Sequence, residues 1–148
     1  MEGMQKIVVF TLNNEVCGVD TIQVREIVKY EEITKLPKMP QFIAGVISLR
    51  GTVVPVVNLN QRFELGDSEI TKKTKIIITD LEGKLIGFIV NDVLEIIKLS
   101  AENIESTPEI IRKIDNSYLK NVGKNGDNLI SILDLSTILT DTEIRNLN

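Results

Sequence analysis

Residues 36–59, LPKMPQFIAGVISLRGTVVPVVNL, read as two apolar strands around a tight turn. Between Gln41 and Leu59 the only charge is Arg50, placed beside Gly51 where the turn is expected. Pro55 interrupts the second strand of this pattern. It cannot donate to a ladder, so it points to an edge or a bulge. Shorter apolar runs flank this hairpin. Lys6–Leu12 leads through Asn13-Asn14, a turn signal, into Glu15–Val19. Lys75–Leu81 leads through Glu82-Gly83 into Lys84–Val90. Val24–Tyr30 and Val93–Leu99 alternate roughly and are rich in β-branched residues, which predicts strands. A helix over 21–29 competes for the first of them, because Val24, Ile27 and Val28 also share a helical face. Asp20 with Gln23 would cap one helical turn there. Ser136 would cap a short C-terminal helix from Thr137 to about Leu147.

A shift of 69 residues lays the chain on itself. Lys6-Ile7 then meets Lys75-Ile76, Leu12 meets Leu81, and Gly18 meets Gly87. Val24, Glu26, Ile27 and Lys29 meet Val93, Glu95, Ile96 and Lys98. These are eight identities in the 24 positions from 6 to 29, without a gap. Shared β-rich composition is the plain alternative, but it does not favour a matched Gly, Glu and Lys in one register. The match extends with small gaps, since Gly51 to Asn58-Leu59 resembles Gly126 to Asp134-Leu135. Both begin at a turn glycine and end in an amide or acid followed by leucine. The chain therefore divides into one domain of two pseudo-repeats, about 6–60 and 75–136. Residues 64–74 form a polar connector. Many short strands in two copies predict two small barrels packed together.

Composition narrows the chemistry. The 148 residues carry a net charge of −4, which argues against a nucleic-acid partner. There is no histidine, so the commonest general base and metal ligand are missing. Cys17 is the only cysteine, which rules out an intrachain disulfide and suits a small core residue better than a nucleophile. No phosphate-cradling glycine motif occurs, and Gly123 to Gly126 reads as a hairpin turn. Asp20, Asp80, Asp92 and Asp134 fall at strand ends, where carboxylates cap turns. No run is long and apolar enough to span a membrane, and no signal peptide is evident. The expectation is a soluble cytoplasmic protein without enzymatic activity, cofactor or metal.

What remains is recognition. A solvated turn arginine is the ordinary reading of Arg50. Against it stands the context: a charge held by two stiff apolar strands loses little freedom on binding, and arginine is common at interface hot spots. Val24 and Ile27 read equally as core residues or as part of a groove.

From Pro40 to Leu59 the chain carries P-x-F-I-x-G-V-I-[NS]-L-R-G-x-V-V-P-V-V-[ND]-L. With Gly18-Val19-Asp20, Val24-x-Glu26-Ile27, the run from Gly87 to Ile96 and the run from Leu129 to Leu135, it resembles the CheW family of bacterial chemotaxis coupling proteins over nearly its whole length. Ser48 and Asn58 stand where asparagine and aspartate are commoner. No receiver domain or kinase core accompanies the signature, so the likeness is to neither the fused coupling protein CheV nor the kinase CheA. The resemblance implies a mainly β fold of two intertwined five-stranded SH3-like barrels. It implies a non-enzymatic adaptor between transmembrane chemoreceptors and the histidine kinase CheA. The partners it implies are the regulatory domain of CheA and the cytoplasmic hairpin tip of the receptor, bound in the groove between barrels. Receptor-contact positions carry over onto Val24, Glu26, Ile27, Gly45, Arg50 and Val93, while the kinase contacts are unassigned. The protein is expected to be a monomer recruited to receptor arrays. A coupling protein of a non-chemotactic CheA-like pathway is the alternative, and a small barrel enzyme is a third, unsupported class.

Overall fold

The computed structural model describes residues 4–106 and 119–138. The alternating patterns become strands β1 (Gln5–Leu12), β2 (Glu15–Asp20), β6 (Lys75–Leu81), β7 (Lys84–Val90) and β8 (Asp92–Leu99). The central apolar run becomes β4 (Ile43–Leu49) and β5 (Thr52–Asn58). Shorter elements are β3 (Glu26–Lys29), β9 (Ile104–Ser106) and the single helical turn α1 (Leu59–Arg62). The chain's last hairpin is β10 (Leu119–Asn125) with β11 (Asn128–Leu133). Where the sequence predicts the start of a C-terminal helix, Leu135–Thr137 form a 3-10 turn capped by Asp134, whose carboxylate accepts from the Ser136 amide at 3.0 Å, so Ser136 lies inside the turn and is not its cap. The rest of the expected helix lies beyond Ile138, outside the described residues.

Competition between helix and strand over 21–29 resolves into both, in sequence. A 3-10 turn occupies Thr21–Gln23, and β3 then pairs antiparallel with β6. Asp20 Oδ1 accepts from the Ile22 amide at 2.9 Å, as a turn cap should. Gln23 does not complete a capping box. Its amide instead reaches across the sequence, donating to Asp134 Oδ1 at 2.7 Å and accepting from the Leu135 amide at 3.0 Å. The predicted turn at Gly123 to Gly126 is also corrected. Gly123 and Lys124 are inside β10, and the turn is Gly126-Asp127, with Asn125 opposite Asn128.

Two sheets form, in the orders β8-β1-β2-β11-β10-β9 and β3-β6-β7-β5-β4. The six-stranded count exceeds the expected five through β9, which is only three residues long. The chain divides into two compact units. One takes the described parts of Met1–Phe10, Val16–Gln23 and Leu94–Asn148, and the other takes Thr11–Glu15 and Val24–Val93. Each sheet is thus a composite of both halves of the sequence. In one, β2 pairs parallel with β11, Gly18 beside Ile132. In the other, β7 pairs parallel with β5, Gly87 beside Val56. The matched glycines do the same work. A Cβ on Gly18 would lie 2.5 Å from Ile7 Cγ2, and one on Gly87 would lie 2.8 Å from Ile76 Cγ2. Ile7 and Ile76 are themselves partners under the 69-residue shift. This is a mainly β fold whose two units alternate along the sequence.

Each unit has its own apolar filling. Ile47, Leu49, Val54, Val56, Ile76, Ile78 and Ile89 cluster in one. Ile7, Val9, Leu99, Ile130 and Ile132 cluster in the other. At ~25 cal/mol per Å² of buried apolar surface, such packed aliphatic side chains are the main stabilising contribution. Pro55 sits in β5, which has neighbours on both sides, yet it breaks no ladder. It lies opposite Val46, whose amide and carbonyl bond outward to Thr34 at 2.9 Å each. Pro55 is therefore at a non-hydrogen-bonded position of the β4–β5 pair. On the far side of β5, pairing with β7 begins only at Val56. The bulge in this hairpin falls between Ile43 and Gly45, not at Pro55.

Candidate functional site

Arg50 and Gly51 form a two-residue turn closed by Leu49 opposite Thr52. Both have positive φ, 49° and 85°, the signature of a type I′ hairpin turn. A non-glycine residue there is strained, so the tip places an arginine where asparagine or glycine would sit more easily. Its guanidinium is not left to solvent alone. Arg50 Nη1 donates to Glu26 Oε1 at 3.1 Å, and Nη2 donates to Oε2. This two-point arrangement fits the planar fork of arginine to both carboxylate oxygens. The side chains are 68% exposed for Arg50 and 27% for Glu26.

The pair polarises both groups. The hydrogen bonds from Arg50 hold the Glu26 carboxyl below the usual carboxylate value. Partial desolvation opposes this, and the charges of Arg50 and Arg25 reinforce it. Bonding to Glu26 likewise raises the Arg50 guanidinium. A second ion pair flanks the first, Arg25 Nη1 to Asp80 Oδ2 at 3.2 Å. Asp80 also accepts from the Gly83 amide at 2.9 Å, the turn role expected of it.

The strand β3 presents Glu26 and Ile27 to opposite faces, because side chains alternate along a strand. Val28 packs on the Ile76 and Ile78 cluster, so Glu26 shares that face near its rim. Ile27, in register with Ile77, points the other way. Val24, Ile27 and Val93 are all half-buried, which leaves each some surface to offer. Gly45 differs from the others. It is buried, with φ 144°, and a Cβ there would lie 2.1 Å from the Thr34 carbonyl oxygen. It admits the Thr34 strand segment and offers no side chain to a partner. Of the six candidate residues, hydrogen bonds join only Glu26 and Arg50. All six lie within the Val24–Val93 stretch of one unit.

The residues 6–143 match the family model for the CheW-like domain. The chain belongs to the CheW-like domain family. Among its relatives, the chemotaxis protein CheW of Bacillus subtilis is 33% identical over 135 residues, covering 91% of this chain and 86% of the relative. The chemotaxis protein CheW of Klebsiella aerogenes is 31% identical over 140 residues, covering 95% and 84%. The crystal structure of the scaffolding protein TtCheW from Thermoanaerobacter tengcongensis superposes with a TM-score of 0.84 at 38% identity, covering 92% of this chain and 88% of that one. A match of this extent in both sequence and fold makes this chain a CheW-type chemotaxis coupling adaptor. The non-chemotactic alternative is not favoured by these relatives.

The resemblance named Glu26 and Arg50 without revealing that they are partners. They are 24 residues apart, and no local pattern signals a carboxylate on one strand reaching the tip of a later hairpin. Arg25 and Asp80 were not singled out as partners for the same reason. Cys17 is buried on β2, as a core residue would be. Among the described residues no helix is long and apolar enough to cross a membrane.

Proposed function

We propose that this adaptor joins the regulatory domain of CheA to the cytoplasmic hairpin tip of chemoreceptors, with Arg50 as the polar anchor of the receptor surface. Val24, Ile27 and Val93 supply its apolar area, Glu26 holds the anchor, and Gly45 shapes the hairpin from beneath. The observation that carries this reading is the two-point pair of Arg50 with Glu26 at a rigid hairpin tip. Two N–H donors face Glu26, and the rest of the exposed guanidinium remains for a partner's carboxylates or amides. A side chain already held in place loses little freedom on binding, which favours affinity. The role is geometric and not catalytic: individually weak interfaces in an array keep the kinase in a receptor-controlled pose. The protein works as a cytoplasmic monomer recruited to receptor arrays, one domain of two pseudo-repeats.

Calorimetry of Arg50→Ala against a receptor hairpin fragment and against the kinase regulatory domain tests the assignment. Receptor binding should weaken about thirtyfold, as at an interface hot spot, and kinase binding should hold. Arg50→Lys should fall between wild type and alanine, because it keeps the charge and loses the fork. Unchanged receptor affinity in a folded Arg50→Ala protein would return Arg50 to an ordinary solvated turn.

A further inference from the structure

A cleft of about 380 Å³ opens on the unit that contains Val24–Val93. None of the six receptor-site candidates lines it. Its floor is Ile43 and Ile89, both buried in the fold. One wall is the chain between β3 and β4, which passes through Lys35, Leu36 and Pro40. Backbone bonds hold that wall: Thr34 with Val46 at 2.9 Å, the Ile43 amide to the Pro40 carbonyl at 3.0 Å, and the Asn58 amide to the Phe42 carbonyl at 2.7 Å. The rim keeps apolar surface in water, with Leu36 37% and Ile70 46% exposed. Among the described residues, Lys35 is the only charged one in the lining, no carboxylate lines the cleft, and Lys35 is in no ion pair.

We propose that this cleft is a docking site for a segment of a partner protein that carries an apolar side chain next to a carboxylate. The apolar floor and the lone cation specify the chemistry. A leucine-sized group fits against Ile43 and Ile89 with room left for the segment that carries it, and an adjacent carboxylate meets Lys35. The rim specifies a protein and not a small molecule. Small-ligand sites bury most of their ligand in an enclosing pocket. Here Leu36 and Ile70 stand outside the floor and would stay wet beside a small acid. A partner surface lying across the cleft would cover them, which is where burial of apolar area contributes to docking. Because the wall is already fixed by backbone bonds, little ordering accompanies occupancy.

Methyl NMR on the full chain tests this with N-acetylated, C-amidated pentapeptides of sequence GELEG and GQLQG, and with 4-methylpentanoate. The acidic peptide should shift the methyls of Ile43 and Ile89 and bind about threefold tighter than its amide twin, the scale of an exposed ion pair. Lys35→Gln should abolish that preference, and Leu36→Asp, on the exposed rim, should weaken both peptides without unfolding the protein. No shift at Ile43 and Ile89 with millimolar acidic peptide would overturn the site. A preference that survives Lys35→Gln would overturn the role of the cation. If 4-methylpentanoate binds as tightly as the acidic peptide, the cleft is a small-acid site and the partner-protein assignment fails.

Discussion

The β4–β5 and β10–β11 hairpins occupy matching places in the two halves of the sequence, and they differ where function is assigned. Both turn in two residues, and both send their second strand into a parallel seam with a hairpin from the other half. In β10–β11 the glycine comes first: Gly126 takes φ 66° and Asp127 needs no left-handed backbone. In β4–β5 the glycine comes second, which leaves Arg50 at φ 49°. One tip is relaxed and the other holds a charged side chain in a strained position. Glu82 takes the same backbone, φ 54°, at the Glu82-Gly83 turn, so the two-residue hairpin imposes the conformation, and the Glu26 carboxylate adds a partner for the Arg50 side chain. The exits differ as well. Asn58 ends β5 as a neutral cap whose side chain accepts from the Gln61 amide at 3.3 Å. Asp134 ends β11 as a charged cap that gathers the Ser136 amide, the Ser136 hydroxyl and Gln23.

The largest expected difference between the hairpins lies at their inner glycines. Gly45→Ala sets a Cβ against backbone at an already left-handed residue, so it should cost about 3 kcal/mol or more, or prevent folding. Gly123→Ala sets a Cβ 2.7 Å from Leu99 Cδ1, the far end of a flexible side chain, and should change stability by about 1 kcal/mol or less. Urea unfolding of the two variants side by side checks the contrast. Equal losses would remove the distinction between a backbone clash and a side-chain one.

A smaller difference should appear with acid. Burial pushes the Asp134 carboxyl up, but bonds from the Ser136 hydroxyl, Gln23 and the Ser136 amide, with the charge of Lys120, hold it below the usual value overall. A depressed folded pKa means the stabilisation is complete above the unfolded pKa of about 4 and disappears as pH falls through the lower folded value. Since the group is largely solvent-screened, its contribution should stay below about 1 kcal/mol. Melting curves from pH 6 downward should show a shallower acid loss for Asp134→Asn than for wild type. Parallel curves would show that the cap contributes nothing to acid sensitivity. Asn58, being neutral, has no such term.

The smallest effect should come from relaxing the strained tip. Arg50→Asn suits a type I′ turn but abolishes the pair with Glu26, so Tm should hold or rise by up to roughly 2 °C while receptor binding weakens. A clear fall in Tm would mean that the ion pair, and not the backbone, governs the tip.

The strands and turns were legible because their signals are local. Lys75–Leu81 and Lys84–Val90 appear with the bounds that apolar alternation and the Glu82-Gly83 turn predict. The stretch 21–29 was ambiguous because three apolar residues there satisfy either period. Pairing with β6 decided it in favour of a strand only from Glu26. Gly123 was misread because a glycine beside lysine and asparagine imitates a turn, while its real constraint is Leu99 and Ile132 packed against it. Of the candidate site, Arg50 was legible from its isolation among apolar residues. Gly45 was legible only as a motif position, since Thr34 closes over it from another part of the chain.

By itself the sequence determined the family, the short-strand pattern, the turns at Asn13-Asn14, Arg50-Gly51 and Glu82-Gly83, and the absence of histidine chemistry. These depend on residue identity and on neighbours a few positions away. Tertiary structure alone decided that each sheet draws a hairpin from both halves, that Pro55 falls where no ladder bond is needed, and that Glu26 meets the Arg50 guanidinium. Those outcomes depend on which distant segments pack together, and side-chain burial across the parallel seams selects that pairing with no mark in the local pattern.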